Sequence, residues 1–582
     1  MGQAVKACAR RWVERMFLRD LDSGYVYSYA ETEQRIDQVV ASQAAHGIRR
    51  GDSVATNFDN SSDLVFLILA SLVAGTRLAL IEPQTPAQRL TYFLKMVKPK
   101  AVFLTPQEGN AASTSDLYVF CRMPWSGGVA PKPVSQPGES LTQRDDEAFV
   151  IFSSGTTGEP KGIVHSHSNA IHELDAMIEG YGAHDLRKHH LILPLPHVSG
   201  LYRSLLMPFC TGGTVTMRRL FNPQTFWKDV LEQKVEFVQL VPSHVALLNR
   251  SPHGPSSGRA SSLRFVGTAS AYLPPKEQRT FETRFGVPVL QGYGLTECTC
   301  GITLNSLDPK IRRPGVVGRP LPVNEIRLVD TAGLEVEPGE VGEVQVRGRN
   351  LATRFLGYAG PSFQDGWLKT GDMGRVEEDG NIVLIGRNTN IVNRGAYKIY
   401  TREVEEALGA SAGVEEAVVI GVPHPLLGED LVAFVMPERV PAPLQLLGAL
   451  RRTLSSYKIP SRIIPIAEIP KNKMGKVLRE ALVQRLADRP QSKAPVEEGA
   501  ITAQICRIIA ELFALNPSDI DTRCSRDRVP QWDSLGHVQV LAAIEQTFGV
   551  RLADEGAVTA RTISDLVSLV RYTLRTKLEG IS

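Results

Sequence analysis

The ten residues Ser153-Ser154-Gly155-Thr156-Thr157-Gly158-Glu159-Pro160-Lys161-Gly162 constrain this chain more than any other stretch. An apolar run of strand length, Ala148-Phe149-Val150-Ile151-Phe152, leads into them, and a polar segment rich in Ser and His follows. Glycines let a backbone turn tightly and bring its N–H groups close to an anion, while hydroxyls and an ammonium add further donors. Ser153, Ser154, Thr156, Thr157 and Lys161 supply those donors, so the stretch has the chemistry of a polyphosphate cradle. The Walker A pattern cannot be laid over it. A plain surface turn is the alternative for any Ser/Thr/Gly cluster; the strand before and the Pro-Lys-Gly ending speak against it.

At 582 residues the chain is too long for one core and is expected to hold several domains. Its 65 basic and 62 acidic side chains leave a net charge of +3, which makes no case for a nucleic acid or an anionic membrane as partner. The seven cysteines are scattered and odd in number, so no disulfide framework is expected. Cys298 and Cys300 have no second pair to complete a zinc site. The longest apolar run, Leu64 to Ala74, is too short to span a bilayer and reads as a buried helix. Without an N-terminal h-region, the expected location is the cytoplasm. From Tyr27 to Lys100 helical and strand patterns alternate: a helix over 30–45, a strand over 53–57, the buried helix, a strand at 78–83, a helix over 86–96 and a strand at 101–104. This rhythm predicts a doubly wound α/β sheet. Residues 106–143, rich in Ser, Gly and Pro, read as an exposed loop.

The cradle wording resembles the signature loop of the adenylate-forming enzymes, the superfamily of acyl-CoA synthetases, nonribosomal peptide synthetase adenylation domains and firefly-type luciferases. Further motifs follow in the order of that family. Leu290-Gln291-Gly292-Tyr293-Gly294-Leu295-Thr296-Glu297 places a flat aromatic between glycines, able to lie on a purine, beside a hydroxyl and a carboxylate able to hold phosphate and Mg²⁺. The resemblance assigns these roles to Tyr293, Thr296 and Glu297, with Glu297 as the metal ligand. In Trp367-Leu368-Lys369-Thr370-Gly371-Asp372, Asp372 can accept from both ribose hydroxyls, and Arg387 resembles the family's ribose- and phosphate-contacting arginine. A capped turn and a Gly-Asp turn are the plain alternatives for isolated T-E and G-D pairs.

Leu193-Pro194-Leu195-Pro196-His197-Val198-Ser199-Gly200-Leu201-Tyr202 matches a segment that lines the family's carboxylate pocket. His197 is a catalytic candidate, with a packed, hydrogen-bonded histidine as the plain alternative. Amino-acid-activating relatives carry Asp where this chain has Val198. An unpaired ammonium against Val would be costly to desolvate, so the resemblance implies an acid without an α-amino group. Motif position adds Ser199, Tyr202, Gly292, Cys300 and Gly301 to the pocket, which is expected to be largely apolar and of modest depth.

Residues 1–387 are therefore expected to form a large subdomain and 388–487 a small mobile α+β one. Thr389 departs from the Asp or Lys usual at the family's hinge, which bears on hinge behaviour and on no group that does chemistry. Pro470-Lys471-Asn472-Lys473-Met474-Gly475-Lys476-Val477-Leu478-Arg479 matches the loop that delivers the family's catalytic lysine, here Lys476; Lys471 and Lys473 are read as solvated charges. Lys476 would bridge the substrate carboxylate and the α-phosphate. After a linker at 488–498, the segment 499–582 becomes helical. Its Gln531-Trp532-Asp533-Ser534-Leu535 resembles the start of the second helix of a four-helix acyl carrier domain, with Ser534 carrying 4'-phosphopantetheine. A helix cap is the plain alternative for D-S-L.

The resemblance thus implies activation of a carboxylic acid by ATP and Mg²⁺ to acyl-AMP, followed by transfer to the pantetheine thiol on Ser534. The implied partners are a phosphopantetheinyl transferase and downstream enzymes that accept the loaded carrier. An amino-acid adenylation–carrier didomain, a free acyl-CoA synthetase and a catalytically silent carrier scaffold are the rivals. Glu297, Asp372, Arg387 and Lys476, all present, stand against the last.

Overall fold

A computed structural model describes the chain apart from residues 84, 105–117, 121–141, 155–159, 256–261, 353, 358–362, 388–390, 395–396, 425–427, 437–442, 451–452, 473–474, 488–497, 514, 517–519, 527, 530–531, 533, 549, 551, 553–559 and 579–582. It forms two compact units, Met1–Thr370 with Gly374–Leu384, and Gly371–Met373 with Ile385–Ser582.

Two large sheets build the first unit. The seven-stranded one runs in the order Arg354–Leu356, Pro160–Ser166, Glu147–Ser154, Arg77–Leu80, Ser53–Thr56, Ala101–Phe103, Tyr118–Phe120. Its strands are parallel from Glu147–Ser154 onward, and the first three pair antiparallel. The nine-stranded sheet centres on the parallel strands Val289–Tyr293, Phe265–Thr268, Phe237–Leu240, Lys188–Leu191, Thr214–Met217 and Met16–Asp20. Strands covered on both faces need continuous apolar runs, and Phe149, Val150 and Ile151 are accordingly all buried. Helix Ser62–Ala74 is buried almost all round, which explains its lack of a polar face. Ser61 caps it by accepting from the Leu64 N–H at 3.3 Å, and Gly75 ends it in the left-handed region at φ 69°. One expectation needs correction: inside the stretch read as a loop, Tyr118–Phe120 pairs in parallel with Ala101–Phe103. Tyr-Val-Phe is a strand-forming triplet that the surrounding Ser, Gly and Pro concealed.

The second unit holds a five-stranded sheet, Tyr397–Tyr400, Ile391–Arg394, Gly428–Met436 and Glu416–His424, with Arg462–Pro465 parallel to Gly428–Met436. Arg394, fully buried, is held by Asp430 at 2.7 Å and by the carbonyls of Tyr457 and Ile459. The expected α+β character is met. Toward the C-terminus the described residues contain three long helices, Glu498–Phe513, Ser534–Phe548 and Ile563–Leu578, rather than the four expected. Their apolar faces do not close on themselves alone. Ile501, Ile505, Ile508 and Leu512 share one core with Val404, Leu408, Leu446 and Leu450 of the small sheet region. Trp532, 1% exposed, donates its ring N–H to His537 Nδ1 at 3.1 Å and anchors the entry to Ser534–Phe548.

Candidate active site

The two ends of the cradle stretch are paired antiparallel: Ser153 pairs with Lys161 and Ser154 with Pro160. Gly155, Thr156 and Thr157 themselves lie outside the described residues. The returning strand, Pro160–Ser166, carries His165, which the sequence reading did not single out. His165 is fully buried, and loss of water lowers its pKa to about 4, so it is neutral at physiological pH. Its Nε2 lies 2.8 Å from the Thr296 carbonyl and its Nδ1 3.1 Å from the Tyr202 hydroxyl. A carbonyl only accepts, so Nε2 carries the proton and Nδ1 accepts from Tyr202. One imidazole thereby fixes strand Pro160–Ser166, the Tyr293–Glu297 motif and the segment expected to form the acyl wall to each other.

The second motif begins on strand Val289–Tyr293 and turns into a short 3₁₀ segment, Thr296–Cys298. A Cβ on Gly294 would collide with the Cys300 carbonyl, which is why only Gly fits there. Tyr293 is 8% exposed and packs beside Cys298 and Ile302. The half-buried Glu297 carboxylate has no hydrogen bond or ion pair among the described residues. A free carboxylate in such a place suits Mg²⁺, a cation that takes oxygen ligands.

The expected acyl wall takes an uncommon form. Ser199–Leu206 is a π-helix, wider than an α-helix and concentrated in proteins at functional sites. Gly200 permits its close start, since a Cβ there would collide with the Pro194 carbonyl. Val198 is half-buried, Ser199 and Tyr202 are buried, and His197 Nε2 lies 3.3 Å from Glu82 Oε1. Cys300 and Gly301 are buried on the turn after the motif; burial pushes the Cys300 thiol up to about 12, leaving it protonated and unreactive.

Two ionisable side chains are buried near this segment. Glu173 and Arg203 are both buried. Glu173 Oε1 accepts from the Gly301 N–H at 2.6 Å and Oε2 from Asn350 Nδ2 at 2.7 Å, while burial raises its pKa to about 7. The signal for Arg203 was present in the sequence, since it is the only charged residue between Val198 and Thr211. Nothing in the sequence separates His165 from its neighbour His167, and Glu173 lies in an ordinary helical stretch.

The second unit presents its own set. Arg387 Nε donates to Asp372 Oδ1 at 2.9 Å, which places the two expected ribose residues side by side. Lys476 is exposed on a tight turn: Asn472 N–H donates to the Lys476 carbonyl, and Asn472 Oδ1 accepts from the Lys476 N–H, both at 2.9 Å. Lys471 is paired with Glu416 at 2.7 Å, a structural role, and Lys473 lies outside the described residues. Ser534 opens its helix, and its neighbour Asp533 lies outside the described residues. No helix among the described residues is long and apolar enough to cross a membrane.

Known proteins resemble this chain over most of its length. The model for AMP-binding enzymes matches residues 5–356, and that for the AMP-binding enzyme C-terminal domain matches residues 403–476. The chain is 30% identical to a sulfoacetate–CoA ligase of Cupriavidus necator over 82% of this chain and 96% of that one. It is 29% identical to a 4-chlorobenzoate–CoA ligase of Arthrobacter over 83% and 95%. The crystal structure of ATP-bound MatB from Rhodopseudomonas palustris superposes with a TM-score of 0.77 at 26% identity, covering 83% of this chain and 99% of that one.

Proposed function

The chain belongs to the AMP-binding enzyme family and is an acid–thiol ligase, and on that premise we propose how its residues divide the work and which thiol receives the acyl group. In the first half-reaction a carboxylate oxygen attacks the α-phosphorus of ATP, pyrophosphate leaves, and acyl-AMP remains. A carboxylate is a weak nucleophile, so positioning and charge neutralisation must supply most of the acceleration. The cradle with Lys161 receives the phosphates and Tyr293 the adenine. Asp372 and Arg387 receive the ribose, and Lys476 neutralises charge between carboxylate and α-phosphate. Glu297 would hold Mg²⁺, which would offset phosphate charge. The observation that carries this reading is the His165 bridge, which holds the Thr296 carbonyl and the Tyr202 hydroxyl to the strand returning from the cradle. Nucleotide and acid are thereby received on one rigid frame.

In the second half-reaction a thiol attacks the acyl carbon and AMP leaves. Free CoA is the acceptor favoured by the relatives, whose names describe CoA ligases. A second reading, loading of the chain's own helical segment through Ser534, is favoured by one observation. The family match ends at residue 476, and the helices beyond it share a core with the small sheet, with Ser534 opening the helix that follows buried Trp532. If Ser534 carries phosphopantetheine, that group supplies the thiol.

Acid-dependent pyrophosphate exchange tests the first half-reaction, and Lys476→Ala is expected to lower it by about 100-fold or more. The acceptor is decided by presenting CoA and protein pretreated with a phosphopantetheinyl transferase. Acylation of CoA that persists in Ser534→Ala supports the CoA reading. A protein mass gain that is lost in Ser534→Ala supports the second.

A further inference from the structure

We infer that Arg203 is a specificity-determining residue, and that the acid activated here carries a second anionic group, a carboxylate or sulfonate, which the Arg203 guanidinium receives. This rests on the acid-activating function proposed above and adds the class of acid.

Arg203 is 1% exposed, and its Nε and Nη1 have no hydrogen-bond partner among the described residues. Among the described residues no carboxylate lies within 4.0 Å of it. A guanidinium stays protonated at any relevant pH, so a full positive charge is enclosed without an ion-pair partner among the described residues. Buried charges are otherwise paired, because leaving one uncompensated is costly. The contrast within this molecule is direct: Arg394, equally buried, is held by Asp430 and two carbonyls.

No neighbour among the described residues makes an ion pair with it. Glu173 is the nearest acidic influence, yet it makes no ion pair with Arg203, and its two oxygens are taken by Gly301 and Asn350. Tyr181 and Cys300 also influence Arg203, and burial raises the pKa of both, so they are neutral. Among the described residues, Nε and Nη1 of the fork are therefore left unpaired.

The position of the fork points to the acyl site. Arg203 follows Tyr202 in the π-helix whose opening residues form the acyl wall, and that helix packs on strands Phe237–Leu240 and Lys188–Leu191. Nη2 lies 3.7 Å from where a Cβ on Gly292 would sit, on the strand leading into the nucleotide motif. A planar fork suits the paired oxygens of a carboxylate or sulfonate, and it would receive them at the end of the acid remote from the reacting carboxylate.

The test uses the full chain and acids matched in length: malonate, succinate, glutarate, sulfoacetate and 3-sulfopropionate against propionate, butyrate and pentanoate. Pyrophosphate exchange reads turnover, and the shift in thermal midpoint with each acid reads binding without turnover. Wild type is expected to prefer its best doubly charged acid over the matched monocarboxylate by at least about 100-fold in kcat/KM, as sites built to pair a polar group reject analogues lacking it. Arg203→Met is expected to erase that preference and, with no acid present, to raise the thermal midpoint by removing an uncompensated charge. Arg203→Lys keeps the charge but not the fork, and is expected to retain only part of the preference. Wild-type preference for monocarboxylates overturns the inference, and that outcome needs no variant. So does a lowered midpoint in Arg203→Met with an unchanged preference, the signature of a purely structural arginine. Doubly charged acids that stabilise wild type without any exchange would leave Arg203 as their receptor and overturn the adenylation reading. Neither exchange nor stabilisation by any doubly charged acid overturns both.

Discussion

Glu173 gives this fold a pH dependence that can be worked from the structure. It is fully buried, and removal from water raises its pKa from 4.5 to about 7, opposed in part by the Asn350 and Gly301 hydrogen bonds. The unfolded chain loses this proton near pH 4.5, whereas the folded chain keeps it until about pH 7. Its stabilising contribution is therefore complete below pH 4.5 and is lost as pH rises through about 7. A shift of this size corresponds to about 3 kcal/mol, of which about 2–3 kcal/mol is lost between about pH 5 and pH 8. The buried histidines act in the opposite sense. His165, His167 and His189, lowered to about 4, favour folding as pH rises toward their unfolded values. Wild type alone therefore mixes the two effects, and comparison with Glu173→Gln separates them. The histidines are common to both proteins and cancel. Gln keeps an acceptor for the Gly301 N–H, and Asn350 can turn its partnerless Oδ1 toward the new amide. Urea unfolding from pH 5 to pH 8 should show the two stability curves diverging by about 2–3 kcal/mol, with wild type losing ground as pH rises. Parallel curves would refute the reasoning, since they would mean that Glu173 ionises in the folded protein as it does in water.

Two further outcomes follow from the same frame. Tyr202→Phe removes the donor to His165 Nδ1 and leaves a buried acceptor unpaired; the expected loss of about 1–3 kcal/mol in urea unfolding should accompany slower pyrophosphate exchange, and unchanged values in both would dismiss the bridge. Gly294→Ala drives a methyl into the Cys300 carbonyl and should abolish stabilisation by ATP in thermal unfolding, whereas Gly386→Ala, with nothing within 4 Å of the new carbon, should retain it.

The local motifs were legible because their chemistry is local. A Ser/Thr/Gly cradle after an apolar strand, the Gly292–Glu297 segment and the Lys476 loop each announce their role through residues close together in the chain. Helix Ser62–Ala74 was legible for a related reason: an apolar run of that length has to be buried, and its Ser cap and Gly stop mark its ends. The strand Tyr118–Phe120 was hidden because its partner lies in another segment and its flanks have loop composition.

Alone, then, the sequence determined the αβ rhythm, the order of the motifs and the class of reaction, since periodicity and short-range chemistry are written residue by residue. Tertiary structure decided which distant groups meet. Only packing could bring His165 between Thr296 and Tyr202, seat Glu173 under Gly301 and Asn350, and join the C-terminal helices to the core of the small sheet. It also turned Arg203, one charge in an apolar run, into an enclosed guanidinium whose Nε and Nη1 have no hydrogen-bond partner among the described residues. Whether a charge is solvated, paired or held for a ligand depends on what surrounds it in space, and spacing along the chain does not encode that.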